Sequence, residues 1–157
     1  METTRHFTAT VYVVSDGAVA LHEHPGLGMW LPPGGHLDRD ELPHEAARRE
    51  VREEIGQSVQ LLSTADGPES PTVEPLPEPQ HFQLADVNVH EDGVSHQHID
   101  YVYYARGEGR TVDPAEDEPP AAAWEWFDAE DLWAADIEPD VVDIGQDAID
   151  AVGASYR

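Results

Sequence analysis

Gly35-His-Leu-Asp-Arg-Asp-Glu41-Leu-Pro-His-Glu-Ala-Ala-Arg-Arg49-Glu50-Val51-Arg-Glu53-Glu54-Ile-Gly56-Gln57 is the stretch that decides how this chain is read. Glu50, Glu53 and Glu54 are spaced i, i+3, i+4, so on a helix their carboxylates share one face. Carboxylates held that close repel unless a cation sits among them. Hard carboxylate oxygens suit Mg²⁺, Mn²⁺ or Ca²⁺ better than a soft metal. The neighbouring residues favour a helix. Pro43 fits a first turn and Gly56 a left-handed stop. Ala47, Val51 and Ile55 form an adjacent apolar stripe that would dock on a sheet. Leu42, where an N-cap is expected, has no capping oxygen. Taken alone, the three glutamates also fit a solvated acidic face on an amphipathic helix; Gly35, Glu41, Arg49 and Gly56 in register separate the two readings.

The segment resembles the Nudix box, G-x5-E-x7-R-E-U-x-E-E-x-G-U, where U is a bulky aliphatic residue. Gly35, Glu41, Arg49, Glu50, Val51, Glu53, Glu54 and Gly56 fall on the pattern, and only the last position departs, Gln57 being polar. The approach Trp30-Leu31-Pro32-Pro33-Gly34-Gly35 also looks like the family. The resemblance implies an α/β fold, a Nudix-type α/β/α sandwich with a mixed central sheet. It implies divalent-metal-dependent hydrolysis of a diphosphate linkage, typically in a nucleoside diphosphate joined to another moiety, with Mg²⁺ as cofactor and Mn²⁺ as its substitute. Carried over residue by residue, Glu53 and Glu54 are metal ligands, Glu50 is a ligand or base, and the Gly35 carbonyl can reach a metal. Arg49 and Glu41 complete the catalytic set as an ion pair that orients loop and helix. Glu53 or Glu50 is expected to activate water. Family members also draw a base from a loop outside the box, and here Glu116, Asp117 and Glu118 are candidates.

Composition narrows the partners. The chain has 157 residues, enough for one domain spanning 1–157 with a real core. Its 33 acidic residues against 8 basic ones give a formal charge of −25, and there is no lysine. Such a surface repels nucleic-acid polymers and anionic membranes, whereas a small phosphorylated substrate can still bind where a metal inverts the local field. A homodimer is left open. The acidic, lysine-free balance looks like that of halophile proteins, in which salt screens self-repulsion. The absence of cysteine removes disulfides, thiolate metal sites and cysteine nucleophiles. No signal peptide and no run of transmembrane length is seen, so a cytoplasmic protein is expected.

Along the chain, residues 7–14 read as a buried strand, Ser15-Asp16-Gly17 as a turn and 18–22 as a returning strand. His24 to Gly28 reads as a loop. Residues 58–63 are a candidate strand, and the proline-rich 64–79 stretch an irregular loop. Residues 80–90 and 96–106 read as strands about a turn at Glu91-Asp92-Gly93. An acidic loop at 107–120 precedes a short aromatic strand at 122–127, a helix capped by Asp128, and a closing helix over 140–156.

His96, His98 and Asp100 alternate, so on a strand they share one face. They are candidates for binding substrate phosphate or a second metal, as is Glu118 for substrate; the other reading of the alternation, a solvent-facing strand side, is the simpler one. Trp30, Trp124, Trp126, Tyr101 and Tyr103 could stack a base or fill the core. The leading rival is a catalytically silent Nudix-like nucleotide-binding regulator, which the intact glutamates oppose. An isomerase on the same scaffold would want a cysteine, and a passive cation buffer would leave diphosphates intact.

Overall fold

The computed structural model describes residues 1–26 and 28–155, so Leu27 of the expected loop and Tyr156 of the closing helix lie outside the described residues. Strand β1 (Thr4–Ser15) is longer than the apolar pattern suggested; its inner half is buried, while Thr4–Phe7 is exposed. At Asp16 and Gly17 the chain turns with φ of 50° and 75°, the positive pair that matches the twist of a two-residue hairpin. Strand β2 (Ala18–Glu23) returns antiparallel, with Val14 opposite Val19. Two short strands follow, β3 (Trp30–Leu31) and β4 (Gly34–His36).

Helix α1 (Pro43–Ile55) carries the glutamates. The missing oxygen at Leu42 is partly compensated, because the Glu45 carboxylate accepts the Leu42 N–H at 2.8 Å. Gly56 stops the helix at φ 72°, and a Cβ there would run into the Asp113 carbonyl. Strand β5 (Gln60–Leu61) is shorter than expected, and 64–79 is irregular apart from a bridge between Ser70 and Val73.

Strands β6 (His81–His90) and β7 (Gly93–Arg106) form a hairpin. β7 runs parallel to β1 from Thr4↔His96 to Val14↔Arg106. Strand β8 (Trp124–Asp128) follows a 3-10 turn at Ala121–Ala123 and pairs with β2. Helix α2 (Ala129–Ala134) is capped as expected, Asp128 Oδ1 accepting the Asp131 N–H at 2.8 Å. Helix α3 (Pro139–Ala154) closes the chain.

β1 is apolar on both faces because both are covered. On one, Ala46, Ala47, Val51 and Ile55 of α1 meet Ala9, Val11, Val13, Tyr103 and Ala105. On the other, Val141, Ile144, Ala148 and Val152 of α3, with Leu132 of α2, meet Tyr12, Val14, Val102 and Tyr104. Val51 and Ile55 are fully buried, each contributing about 1.5–3 kcal/mol relative to exposure. Phe7 lies beyond this cover and is 50% exposed. The architecture is the expected α/β/α sandwich around a mixed sheet. Among the described residues no helix is long and apolar enough to cross a membrane.

Candidate active site

The carboxylates of α1 meet the loop that precedes it because two glycines allow close approach. A Cβ at Gly35 would run into the Glu50 carboxylate, and one at Gly34 would lie 2.6 Å from the Ala9 carbonyl oxygen. Gly34 donates its N–H to Glu54 Oε2 at 3.1 Å. Arg49 ties loop and helix together. Its Nε and Nη2 donate to the two Glu41 oxygens at 2.7 and 3.0 Å. Nη1 donates to Glu50 at 2.9 Å and to Glu53 at 3.1 Å, and Nη2 also donates to the His36 carbonyl at 3.0 Å. All five guanidinium N–H groups therefore have partners.

The electrostatics of this face are uneven. The hydrogen bond from Arg49 holds the Glu41 carboxyl below its usual range and raises the guanidinium. Glu50 is buried, and burial raises its carboxyl, with Arg49 opposing and Glu53 and Glu118 adding to the rise. Glu54 is pushed up to about 8, chiefly by burial and then by the Glu50 charge, with Glu118 and Glu53 contributing. Glu53 is the more open member, its side chain 42% exposed. A compact set of hard oxygens, one carboxyl of which resists ionising without a cation, fits a hard divalent metal.

Of the residues singled out from sequence, Gly35, Glu41, Arg49, Glu50, Glu53 and Glu54 come together. Glu118 is half-buried and adds its charge to the cluster, while Glu116 and Asp117 are exposed.

His96, His98 and Asp100 are not brought to this face. Asp100 pairs with Thr8 across the β1–β7 ladder and accepts hydrogen bonds of 2.9 Å from the Thr8 and Thr10 hydroxyls. Those even-numbered positions of β1 point away from α1, whereas Ala9, Val11 and Val13 point toward it. Burial raises the Asp100 carboxyl, and the threonine bonds counter this. His98 is lowered to about 4, first by burial and then by His36 and His96, so it is uncharged at neutral pH. Next to it stand His36, which follows Gly35 in the box, and His6 of β1; ring contacts join all four imidazoles. Sequence reasoning missed this cluster because His6 and His36 join it only through strand pairing. The even parity of His6, Thr8 and Thr10 was the available signal.

The aromatic candidates divide. Trp124 and Tyr103 belong to the core, and Trp30 packs edge-on to Phe127 with ring centroids 5.1 Å apart. Trp126 donates its Nε1–H to the Arg110 carbonyl. Tyr101 stacks between Phe7 and Phe82 at 6.1 and 5.2 Å.

Gln57, the departure from the box pattern, is buried. Its Nε2 donates to the Gly109 and Thr111 carbonyls at 2.9 and 3.0 Å, and its Oε1 accepts the Glu108 N–H at 3.0 Å. It pins the start of the loop that carries Glu118.

The family model described as NUDIX domain matches residues 4–147. A solved NUDIX-family hydrolase from Clostridium perfringens is 32% identical, with a TM-score of 0.78 over 95% of this chain and 99% of that one. The MutT protein of Bacillus halodurans shares the fold at 20% identity and a TM-score of 0.63, over 92% of this chain and 82% of that one. A MutT NUDIX hydrolase from Burkholderia pseudomallei does so at 22% and 0.57, over 95% of this chain and 98% of that one. No curated protein matches.

Proposed function

The chain belongs to the NUDIX hydrolase family, and from that premise we propose that it hydrolyses a diphosphate linkage in a nucleoside diphosphate joined to another moiety. Family members act on small phosphorylated substrates and use divalent metals; we assign Mg²⁺ here, with Mn²⁺ as its substitute. The observation that carries the reading is the convergence of Glu50 and Glu53 on the Arg49 guanidinium, with Glu54 beside them, held by the Gly34 N–H and raised to about 8.

Phosphorus in a diphosphate is shielded by anionic oxygens, so attack needs charge neutralisation, an aligned water and a base. Glu53 and Glu54, with Glu50 and the Gly35 carbonyl, would hold the metal, which when bound supplies charge neutralisation and polarises a phosphoryl oxygen. Glu53 is half-exposed and one of its oxygens is engaged by Arg49, which leaves the other for the metal or, where the remaining ligands hold the metal, for a proton from water. Glu50 is the second candidate, its carboxyl raised by burial against the opposing Arg49 charge. Arg49 has no N–H left for substrate and acts as a positioning residue, anchored by Glu41. The −25 formal charge disfavours polymeric nucleic acid as a substrate.

The test is a screen of nucleoside diphosphate conjugates and dinucleotides with Mg²⁺ or Mn²⁺ in molar KCl, reading released monophosphates. Turnover that stops in EDTA supports the reading. Metal and nucleotide binding without turnover of any substrate would favour a silent regulator instead.

A further inference from the structure

We propose that His6, His36 and His96, with His98 beside them, form a binding site for a borderline divalent transition ion such as Zn²⁺ or Ni²⁺, separate from the carboxylate face. Three strands build it. His6 on β1 pairs with His98 on β7, Thr4 pairs with His96, and His36 on β4 lies opposite Thr8. The side chains thus rise from one sheet face, the one turned away from α1.

One nitrogen each from His6, His36 and His96 lies within 4.8 Å of the others. The four rings close a circuit. Centroids are 4.7 Å apart for His6–His96, 5.0 Å for His96–His98, 4.9 Å for His98–His36 and 5.0 Å for His36–His6. Imidazoles on one tetrahedral ion, with metal–nitrogen distances of about 2.0–2.1 Å, place their ligating nitrogens about 3.3 Å apart. His36 Nε2 and His98 Nε2 are 3.2 Å apart, a hydrogen-bond contact that places His98 beside the three and that an ion on His36 would replace. His96 Nδ1 lies 2.9 Å from the Thr4 hydroxyl, which leaves Nε2 to face the ion. Metal-bound histidines characteristically have the second ring nitrogen held in this way.

The donor set selects the ion. Imidazole suits Zn²⁺, Ni²⁺ and Cu²⁺, whereas Mg²⁺ prefers oxygen, so the two faces of the sheet would sort different metals. His6 and His36 are exposed and His96 is half-buried, so an ion can reach them. The site would also brace the box loop, because His36 follows Gly35 and its carbonyl accepts from Arg49.

The experiment is calorimetric titration of metal-stripped protein with Zn²⁺ in millimolar Mg²⁺, which occupies the carboxylates, with Co²⁺ absorption as a second readout. One equivalent of Zn²⁺ should bind per chain, and the double variant Glu53→Gln/Glu54→Gln should bind it equally. His6→Gln and His96→Gln should each weaken it by at least about tenfold, the lower bound for disturbing even a partner of a ligand. Circular dichroism checks their fold. Three outcomes would overturn the site: no stoichiometric Zn²⁺ binding under Mg²⁺, loss of binding in the glutamate variant, or unchanged binding in both histidine variants. Inorganic phosphate bound at the cluster in place of Zn²⁺ would overturn it as well.

Discussion

Arg49 grips Glu41 with both prongs of its guanidinium, at 2.7 and 3.0 Å, and this pair fixes the end of the box loop against the helix that carries the glutamates. The same side chain reaches Glu50, Glu53 and the His36 carbonyl. A lysine there keeps the charge but cannot fork.

Arg49→Lys is therefore expected to lower kcat about 10²-fold through misplacement of Glu50 and Glu53, with KM changed little. Steady-state kinetics beside near-UV circular dichroism checks this. A wild-type kcat in the folded variant would remove Arg49 from the positioning role.

Metal binding should release protons. Glu54, raised to about 8 without metal, carries a proton at pH 7 that a divalent ion must displace. Mg²⁺ affinity should then rise from pH 6 to 9. Calorimetry at pH 7 in two buffers of different ionisation enthalpy should show proton release, which Glu54→Gln abolishes.

The same group sets a pH dependence of metal-free stability. Its folded-state value lies above the ordinary carboxyl value, so the stability it contributes is present at low pH and is lost as pH rises from about 4.5 to about 8. Compared with Glu54→Gln, the wild type should lose melting temperature across that window, and Mg²⁺ should reduce the loss. Parallel curves for the two proteins would contradict the raised value.

Gln57→Leu restores the family pattern yet is expected to destabilise. It strips the carbonyls of Gly109 and Thr111 and the Glu108 N–H of their partner, at roughly 1–3 kcal/mol in total. A urea midpoint at or above that of the wild type would show that packing outweighs the clamp.

Stability should rise with KCl to molar concentration. Repulsion from a −25 formal charge is screened over roughly 3 Å at 1 M salt. A melting temperature that is flat or falling over that range would remove the halophile inference.

Helix α1 was legible because its signals are local: Pro43, the glutamate spacing and Gly56 all act within a few turns of chain. The Asp16-Gly17 hairpin and the Asp128 cap were legible for the same reason. The facing of His96, His98 and Asp100 was not, because it depends on the parallel pairing of β1 with β7, residues some ninety positions apart. Gln57 looked like a lost packing residue because its partners lie in a loop without periodicity. β5 pairs Gln60 and Leu61 with Arg106 and Ala105 of β7, and Leu62 still donates its N–H to the Tyr104 carbonyl.

Glu53→Gln is the decisive substitution on the carboxylate face. The amide keeps the shape and can still accept from Arg49, but it can neither carry the ligand's charge nor take a proton. On the best substrate with saturating Mg²⁺, kcat should fall about 10²–10⁴-fold with an unchanged melting temperature. A kcat within a few-fold of wild type would contradict the assignment of this carboxylate face as the active site.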